Sequence, residues 1–272
     1  MEIGVLGCAG RMGRAVIAEI LARPDCRLAG GIEAAGHPVL GQDLGVLAGT
    51  EPAGVVATSD APALLAQADV VIEFSAPEAS ARHAELAADA GTGHVIGTTG
   101  LSAEQAERLL AAAARTPIVW AANMSLGINL LIALAEQVAR TLGPEGFDVE
   151  IVEMHHRHKV DAPSGTALAL GEAVARGRGV VLAEAAVRGR DGLTGPRPAG
   201  AIGFAALRGG DVVGDHTVLF AGAGERLELT HRATDRRIYA RGAVHAARWL
   251  HGRPPGLYRM ADVLGLGATE GG

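Results

Sequence analysis

The opening stretch, residues 2–33, constrains the fold more than any other part of this chain. "EIGVLG" is a short apolar run ending on glycine, the pattern of a buried parallel strand. "GCAGRMGRAVIAEILAR" follows, with Gly7, Gly10 and Gly13 ahead of Val16, Ile17, Ile20 and Leu21 at helical spacing. A second apolar run, "RLAGGIE", ends at Glu33, twenty residues beyond Gly13. Strand, glycine-rich turn, helix and second strand make a βαβ unit. In such a unit the turn's backbone N–H groups approach a pyrophosphate at the helix N-terminus. The acid ending the second strand can bind the adenosine ribose hydroxyls. Glycine alone says little, since the chain holds 39 of them and a tight turn uses glycine without any ligand. The four features in succession favour a nucleotide site.

Further β/α units follow. "ADVVIEFSAP" is a strand running into a loop, and "EASARHAELAADAG" is a helix. "GHVIGTTG" is a strand with a small-residue end, and "SAEQAERLLAAAAR" is a helix with Ser102 as N-cap. "TPIVWAANMSLGIN" is a strand leading into Asn123, Met124 and Ser125. Ligands of such sheets lie outside the carboxyl ends of the strands. The strand ends Phe74-Ser75, Gly97-Thr98-Thr99 and Ala121-Ala122-Asn123 are therefore expected to line a cofactor cleft. Threonine and asparagine at such places also cap helices.

The organisation changes near residue 126. "LGINLLIALAEQVARTLG" spaces its apolar residues as a long amphipathic helix able to bridge two domains. "FDVEIVEMHH" alternates like a strand, and "AIGFAALRGGDVVGDHTVLFAGAGERLELTHRA" reads as several antiparallel strands with glycine turns. Residues 176–200, rich in Gly, Arg and Pro, read as a loop. "IYARGAVHAARWLHGRPPGLYRMADVLGL" returns to helical spacing. The expected fold is α/β: a Rossmann-like nucleotide-binding domain over 1–126 and a second α+β domain with a mainly antiparallel open sheet over 127–235. Residues 236–272 are expected to return to the first domain.

Composition removes several function classes. Hydrophobic residues make up 49% and charged ones 20%, which excludes a disordered chain. A formal charge of −6 leaves no basic footprint for nucleic acid. Cys8 and Cys26 resemble neither a disulfide framework nor a zinc site, and fit a reducing compartment. "MEIGVLGCAGRMG" lacks the basic region and longer apolar run of a signal peptide. Runs such as "RLLAAAAR" are too short and too charged at their ends to span a membrane. The expectation is a cytoplasmic protein without a nucleic-acid or membrane partner.

"EMHHRHKVDAPSGTAL", Glu153 to Leu168, carries the second signal. Of 24 Lys+Arg, 23 are arginine; Lys159 is the single lysine, and it lies beside His155, His156 and His158. Lysine meets an anion as a point charge or transfers a proton, while arginine resists deprotonation. The Pro-Ser-Gly-Thr turn then starts a helix at Ser164 or Gly165, whose first N–H groups face an anion. His155 and His156 point to opposite faces if the strand runs through them. Lys159, the imidazoles and the Ser164-Gly165-Thr166 amides suit a small substrate with more than one carboxylate. A dinucleotide site implies redox chemistry at a nicotinamide, to which the second domain would bring that substrate. No metal is expected, because "HHRH" is not a helical HxxxH and carboxylate or cysteine support at ligand spacing is missing. A solvated cationic loop is the plainer reading; the helix start directly after the cluster argues against it. Arg157 and His158 read as structural or interfacial.

This stretch resembles the signature of the 4-hydroxy-tetrahydrodipicolinate reductase family, also called dihydrodipicolinate reductases, of diaminopimelate and lysine synthesis. "GCAGRMGR", "GTTGLS", "AANMSLGINLL" and "GERLELTHRA" are similar to its other blocks, in the same order over nearly the whole chain. The histidine–lysine motif is specific; the glycine motif is not. The resemblance implies that Gly7, Cys8, Ala9, Gly10, Arg11 and Met12 form the dinucleotide turn and that Glu33 binds the ribose. It places Gly97, Thr98 and Thr99 with Ala121, Ala122, Asn123 and Met124 on the nicotinamide side. It implies His155 as proton donor/acceptor and Lys159 as proton-donating lysine. His156, Gly165 and Thr166, with Ser164 adjacent, match the contacts to substrate carboxylates. The implied reaction is hydride transfer from NAD(P)H to C4 of an unsaturated ring, with protonation elsewhere and loss of water, giving tetrahydrodipicolinate. The implied assembly is a homotetramer built through the sheet of the second domain.

Two positions depart from the pattern. Some members carry arginine directly after the ribose-binding acid, against the 2′-phosphate of NADPH; here Ala34 stands there. Ala9 stands where some members have glycine. Arg11 remains, so the expectation is that NADH is preferred and NADPH still used. A related dehydrogenase of another small dicarboxylate and a non-catalytic nucleotide-binding sensor stay open, though a sensor has no need of His155 and Lys159 together.

Overall fold

The structure, a computed structural model, describes residues 1–266. It divides into two units: Met1–Leu126 with the C-terminal segment from Arg237, and Gly127–Arg236. The chain begins β1 (Glu2–Leu6), α1 (Arg11–Leu21), β2 (Arg27–Ile32), α2 (Leu44–Leu47), β3 (Ala57–Thr58) and α3 (Ala61–Leu65). It continues β4 (Val70–Glu73), α4 (Pro77–Ala90), β5 (Gly93–Ile96), α5 (Ala103–Ala113) and β6 (Pro117–Trp120). Then come α6 (Leu126–Thr141), β7 (Phe147–His155), α7 (Gly165–Arg178), α8 (Leu182–Ala185) and β8 (Ala186–Val187). β9 (Ile202–Arg208), β10 (Gly214–Gly222) and β11 (Glu225–Ala233) precede α9 (Arg237–Leu250), β12 (Gly256–Tyr258) and α10 (Met260–Val263). Residues 267–272, the end of the expected C-terminal return, lie outside the described residues.

Seven parallel strands in the order β12-β6-β5-β4-β1-β2-β3 form the sheet of the first unit. The order reverses between β1 and β4, the switch point at which such sheets open a ligand crevice. β4 and β5 are buried along their whole length, as parallel strands covered on both faces must be. α1 turns Gly13, Val16, Ile17 and Ile20 inward. α9 packs against α1, β4, β5 and β6, and its approach is close: a Cβ on Gly242 would lie 1.7 Å from the Met124 carbonyl oxygen. Ser102 caps α5 in a capping box with Gln105, as its sequence predicts.

One carboxylate is built into this core. Glu73, the last residue of β4, is fully buried. Its Oε1 lies 2.8 Å from His83 Nδ1 and also accepts a hydrogen bond from the Ser75 hydroxyl. Its Oε2 lies 2.8 Å from His94 Nε2, an ion-pair contact without hydrogen-bond alignment. Burial pushes this carboxyl up, but His83 and then His94 outweigh it and hold it at about 2, below the ordinary 4.5. The stabilisation is therefore complete above pH 4.5 and is lost as pH falls toward 2. Glu73→Gln should destabilise the chain by about 3 kcal/mol, because two buried imidazoles lose their carboxylate. Urea unfolding at neutral pH measures this, and the gap between parent and variant should narrow as the pH falls through that window.

The second sheet runs β11-β10-β7-β9-β8. β10 pairs antiparallel with β7 and β11, but β9 runs parallel to both β7 and β8. The sheet is thus mixed, where a mainly antiparallel one is expected from the sequence. β10 and β11 are joined by two residues, Ala223 and Gly224, the latter at φ +81°, which forces a hairpin. β7 reaches β9 through α7, and a helical crossover permits parallel pairing. Residues 176–200 are not all loop: α7 runs to Arg178, ends on Gly179 at φ +67°, and α8 and β8 follow. These last two elements are too short to leave a period in the sequence. β7 buries Val149, Ile151, Glu153 and His155 in strict alternation. Val149 and Ile151 join a core with Leu131 of α6, Leu170 and Val174 of α7, and Phe204 and Phe220 of the sheet. Among the described residues no helix is long and apolar enough to cross a membrane.

Candidate active site

In the first unit the β1–α1 turn is shaped for close backbone approach. Gly7 has φ +80°, and a Cβ there would lie 2.5 Å from the Phe74 carbonyl oxygen. A Cβ on Gly13 would lie 2.1 Å from the Gly7 carbonyl oxygen. The fold itself requires these two glycines. It does not require Gly10, where an added Cβ would keep 3.4 Å from its nearest neighbour. Gly10 is the N-cap of α1 and supplies no side-chain cap, so the first N–H groups of the helix are not covered from there. The Glu33 carboxylate accepts hydrogen bonds from Ala9 N–H (3.0 Å) and Ala34 N–H (3.1 Å), which holds it beside the turn. Cys8 is buried, and burial pushes its thiol up to about 11, so its side chain packs rather than reacts. Ala9 and Met12 are half-buried and Arg11 is exposed.

The remaining segments follow β4, β5 and β6. Thr98 is buried, and its Oγ1 accepts from Ser75 N–H at 3.1 Å. Gly97 makes room for the Phe74 ring, which an added Cβ would meet at 2.1 Å. Thr99 and Ala122 are exposed. Ala121 N–H donates to Ile96 O at 3.1 Å, and Asn123 Oδ1 accepts from Ser125 N–H at 2.9 Å. Met124 is 1% exposed and belongs to the core. Because all seven strands are parallel, the segments after β1, β2, β4, β5 and β6 lie on one edge of one sheet. An uncapped helix start, a turn stripped of Cβ atoms and a fixed carboxylate are the groups a pyridine dinucleotide uses.

In the second unit β7 ends on His155, so its ring stays on the buried face with Glu153, while His156 is half-buried beyond the strand. His155 Nδ1 lies 2.6 Å from Glu153 Oε2. Arg208 of β9 grips the same carboxylate through Nη1 (2.8 Å) and Nη2 (2.9 Å), and Ser164 N–H donates to it at 3.1 Å. Burial pushes the Glu153 carboxyl up; Arg208 and then His155 outweigh it and hold it below the usual range. His216 of β10 packs its ring edgewise on His155 with centroids 5.0 Å apart, and its Nε2 lies 3.1 Å from Ser164 Oγ. Burial first, then the neighbouring His155, lowers His216 to about 4, so this imidazole is neutral at pH 7.

Lys159 Nζ donates to both Asp161 oxygens, at 2.8 and 2.9 Å. That hydrogen bond is the main cause holding the Asp161 carboxyl below its ordinary value. Ser164 is the N-cap of α7, its Oγ accepting from Ala167 N–H at 3.1 Å. Gly165 opens the helix, and an added Cβ there meets nothing within 4 Å. Among the described residues no group of three or more His, Cys, Asp or Glu is placed to hold a metal ion.

Models of the family described as dihydrodipicolinate reductase match both halves, the N-terminal one over residues 1–124 and the C-terminal one over 127–264. The chain belongs to the dihydrodipicolinate reductase family. It is 56% identical over 266 residues to the 4-hydroxy-tetrahydrodipicolinate reductase of Brucella abortus (strain 2308), covering 98% of this chain and 99% of that one. To the 4-hydroxy-tetrahydrodipicolinate reductase of Parvibaculum lavamentivorans it is 58% identical over 267 residues, covering 98% of each. Its fold is similar to that of a dipicolinate-bound dihydrodipicolinate reductase from Paenisporosarcina sp. TG-14, with a TM-score of 0.78, 24% identity and coverage of 96% and 98%. As a member of the dihydrodipicolinate reductase family the chain is an oxidoreductase, and its first unit is a pyridine-nucleotide-binding domain.

The structure also brings in three residues that sequence reasoning about this family member missed. Glu153 was readable: it stands two positions before His155, on the same face of a strand. Arg208 and His216 carried no such signal. They meet the site because β7 pairs His155 with Arg208 on one side and Glu153 with His216 on the other.

Proposed function

We propose that the chain carries out its family's reaction, the NAD(P)H-dependent reduction of 4-hydroxy-tetrahydrodipicolinate to tetrahydrodipicolinate in the diaminopimelate route to lysine. His155 and Lys159 move the protons, and His156, Ser164, Gly165 and Thr166 hold the substrate carboxylates. The observation that carries this reading is His155 itself, with one ring nitrogen tied to a buried carboxylate and the other, Nε2, without a hydrogen bond among the described residues. A histidine fixed in that way acts as acid or base at its second nitrogen. When bound, the reduced nicotinamide supplies a hydride. The Lys159 amine donates a proton, and the N–H groups at the start of α7 together with His156 bind carboxylate oxygens. Open space at Gly165 supports that approach. The remaining parts of the reading are a cytoplasmic enzyme and a homotetramer assembled through the second sheet, which light scattering of the purified chain would check.

Loss of NADH absorbance with the condensation product of pyruvate and aspartate semialdehyde tests the reaction. Turnover of other keto or imino dicarboxylates at a higher kcat/KM would overturn it.

The cofactor preference rests on Glu33 and Ala34. A carboxylate held beside the turn accepts hydrogen bonds from both ribose hydroxyls of NADH and repels a 2′-phosphate. Ala34 supplies no cation against that repulsion, and Arg11 compensates in part. NADH is therefore favoured modestly, with NADPH still used. Ala34→Arg should raise kcat/KM for NADPH through a lower KM and change NADH little. The comparison belongs at low ionic strength, where exposed charge contacts are least screened. A parent enzyme with a strong preference for NADPH would falsify this electrostatic reading.

A further inference from the structure

Glu153 is a carboxylate on the core face of a strand, 1% exposed, and the reading above uses its contact with His155 without assigning it a role of its own. Its two oxygens face four donors from three elements. Oε1 accepts from Ser164 N–H (3.1 Å) at the start of α7 and from Arg208 Nη2 (2.9 Å) on β9. Oε2 accepts from Arg208 Nη1 (2.8 Å) and faces His155 Nδ1 (2.6 Å) on β7. A two-pronged arginine fixes the plane of a carboxylate. With Arg208 and the Ser164 amide in place, the remaining direction of Oε2 is set toward the imidazole. An ionised carboxylate only accepts hydrogen bonds, so the nitrogen facing it must carry the proton. On the far side of the ring, Gly214 leaves Nε2 uncrowded; a Cβ there would sit 3.0 Å from it.

We propose that Glu153 is a positioning residue for His155: held by Arg208 and the Ser164 amide, it keeps the proton on Nδ1 and leaves Nε2 as the nitrogen that exchanges a proton with substrate. In the donating direction the Nε2–H bond breaks and the substrate gains that proton. The ring becomes neutral with Nδ1–H retained on Glu153. The proposal rests on the assignment of His155 as acid or base and deepens it. It also ties that histidine to the helix start proposed for substrate carboxylates, since one carboxylate holds both.

A plain Glu153–Arg208 core ion pair would show the same burial, so the test must read something that packing does not move. The charged and titratable groups around His155 are Glu153 on β7, Arg208 on β9 and His216 on β10, with His231 opposite His216 on β11. His156, Lys159 and Asp161 stand in the loop after β7, and Asp161 is engaged by Lys159. Glu153 is the anion in contact with the ring. Without its charge no anion touches the ring.

The experiment is a cycle of Glu153→Gln, His155→Gln and the double variant, with kcat and KM measured on each. Glu153→Gln should lose about 10²-fold in kcat, within the range a positioned acid or base supplies, with KM little changed. In the His155→Gln background the same change should cost almost nothing further in kcat. Parent-like kcat in Glu153→Gln, or an equal loss in both backgrounds, would overturn the proposal while leaving His155 in its role. A His155→Gln enzyme with parent turnover would instead remove the underlying assignment, and the proposal with it. If Glu153→Gln does not fold, 15N-histidine spectra of the parent decide, with His155→Gln identifying the signal. A neutral His155 ring with its proton on Nε2 would overturn the proposal.

Discussion

Lys159→Ala lowers kcat by about 10²–10⁴-fold, the contribution of a positioned proton donor, and leaves NADH affinity nearly intact. The groups proposed to hold the nucleotide, Glu33 and the glycine-rich turn, belong to the other unit of the chain. Charge and proton transfer are the two roles open to this amine, and Lys159→Arg separates them. Arginine keeps the positive charge and can grip Asp161 through two N–H groups, where Lys159 Nζ now lies 2.8 and 2.9 Å from the two oxygens. A guanidinium does not give up its proton near neutral pH. The arginine variant should therefore be impaired nearly as badly as the alanine one. Steady-state turnover at saturating NADH decides it: near-parent kcat in Lys159→Arg means that charge suffices and withdraws the proton from Lys159.

The first sheet was legible because each of its central strands is a mainly apolar run leading into small residues, and each is followed by a helical period. β4 and β5 bury every residue, so their sequence could hardly read otherwise. The second sheet was legible strand by strand but not in its pairing. β7 and β11 alternate clearly, yet nothing local to β9 says that it runs parallel to β7. That follows from the crossover through α7, and part of that segment reads as loop. The same cause hid half of the candidate site. His155, His156 and Lys159 stand out because they adjoin one another and because Lys159 is the only lysine. Arg208 is 55 residues from Glu153, and it reaches that carboxylate only through the register that sets it opposite His155. The glycine motif shows the converse. Gly7 and Gly13 serve the turn's own packing, so the signal that pointed to a nucleotide is partly a signal of tight βα geometry.

His155→Gln should lower kcat by about 10²–10⁴-fold and raise KM far less, whereas His156→Gln should raise KM more than it lowers kcat. The two neighbours differ because the strand ends between them. His155 is 8% exposed, with Nδ1 2.6 Å from Glu153 Oε2. A glutamine amide there can still donate to that carboxylate and fill much of the same space. What it cannot do is take up and release a proton, so the variant loses proton transfer with little loss of packing. His156 lies outside the strand, and Arg236 Nη2 approaches its Nε2 at 3.4 Å. Loss of solvent first, then the charge of Arg236 and the nearby His155, His158 and Lys159, pushes its imidazole below the ordinary 6.5. That leaves it largely neutral at pH 7, so under the proposed reading it would serve a carboxylate as a hydrogen-bond donor rather than as an acid. An interaction made equally with bound substrate and transition state appears in KM, and one made only in the transition state appears in kcat. Kinetics of both variants at pH 7 with saturating NADH measure the split. Parent-like turnover in His155→Gln would end its assignment as the acid or base, and a kcat loss in His156→Gln as deep as that of His155→Gln would move the proton to the wrong side of the strand end for this reading.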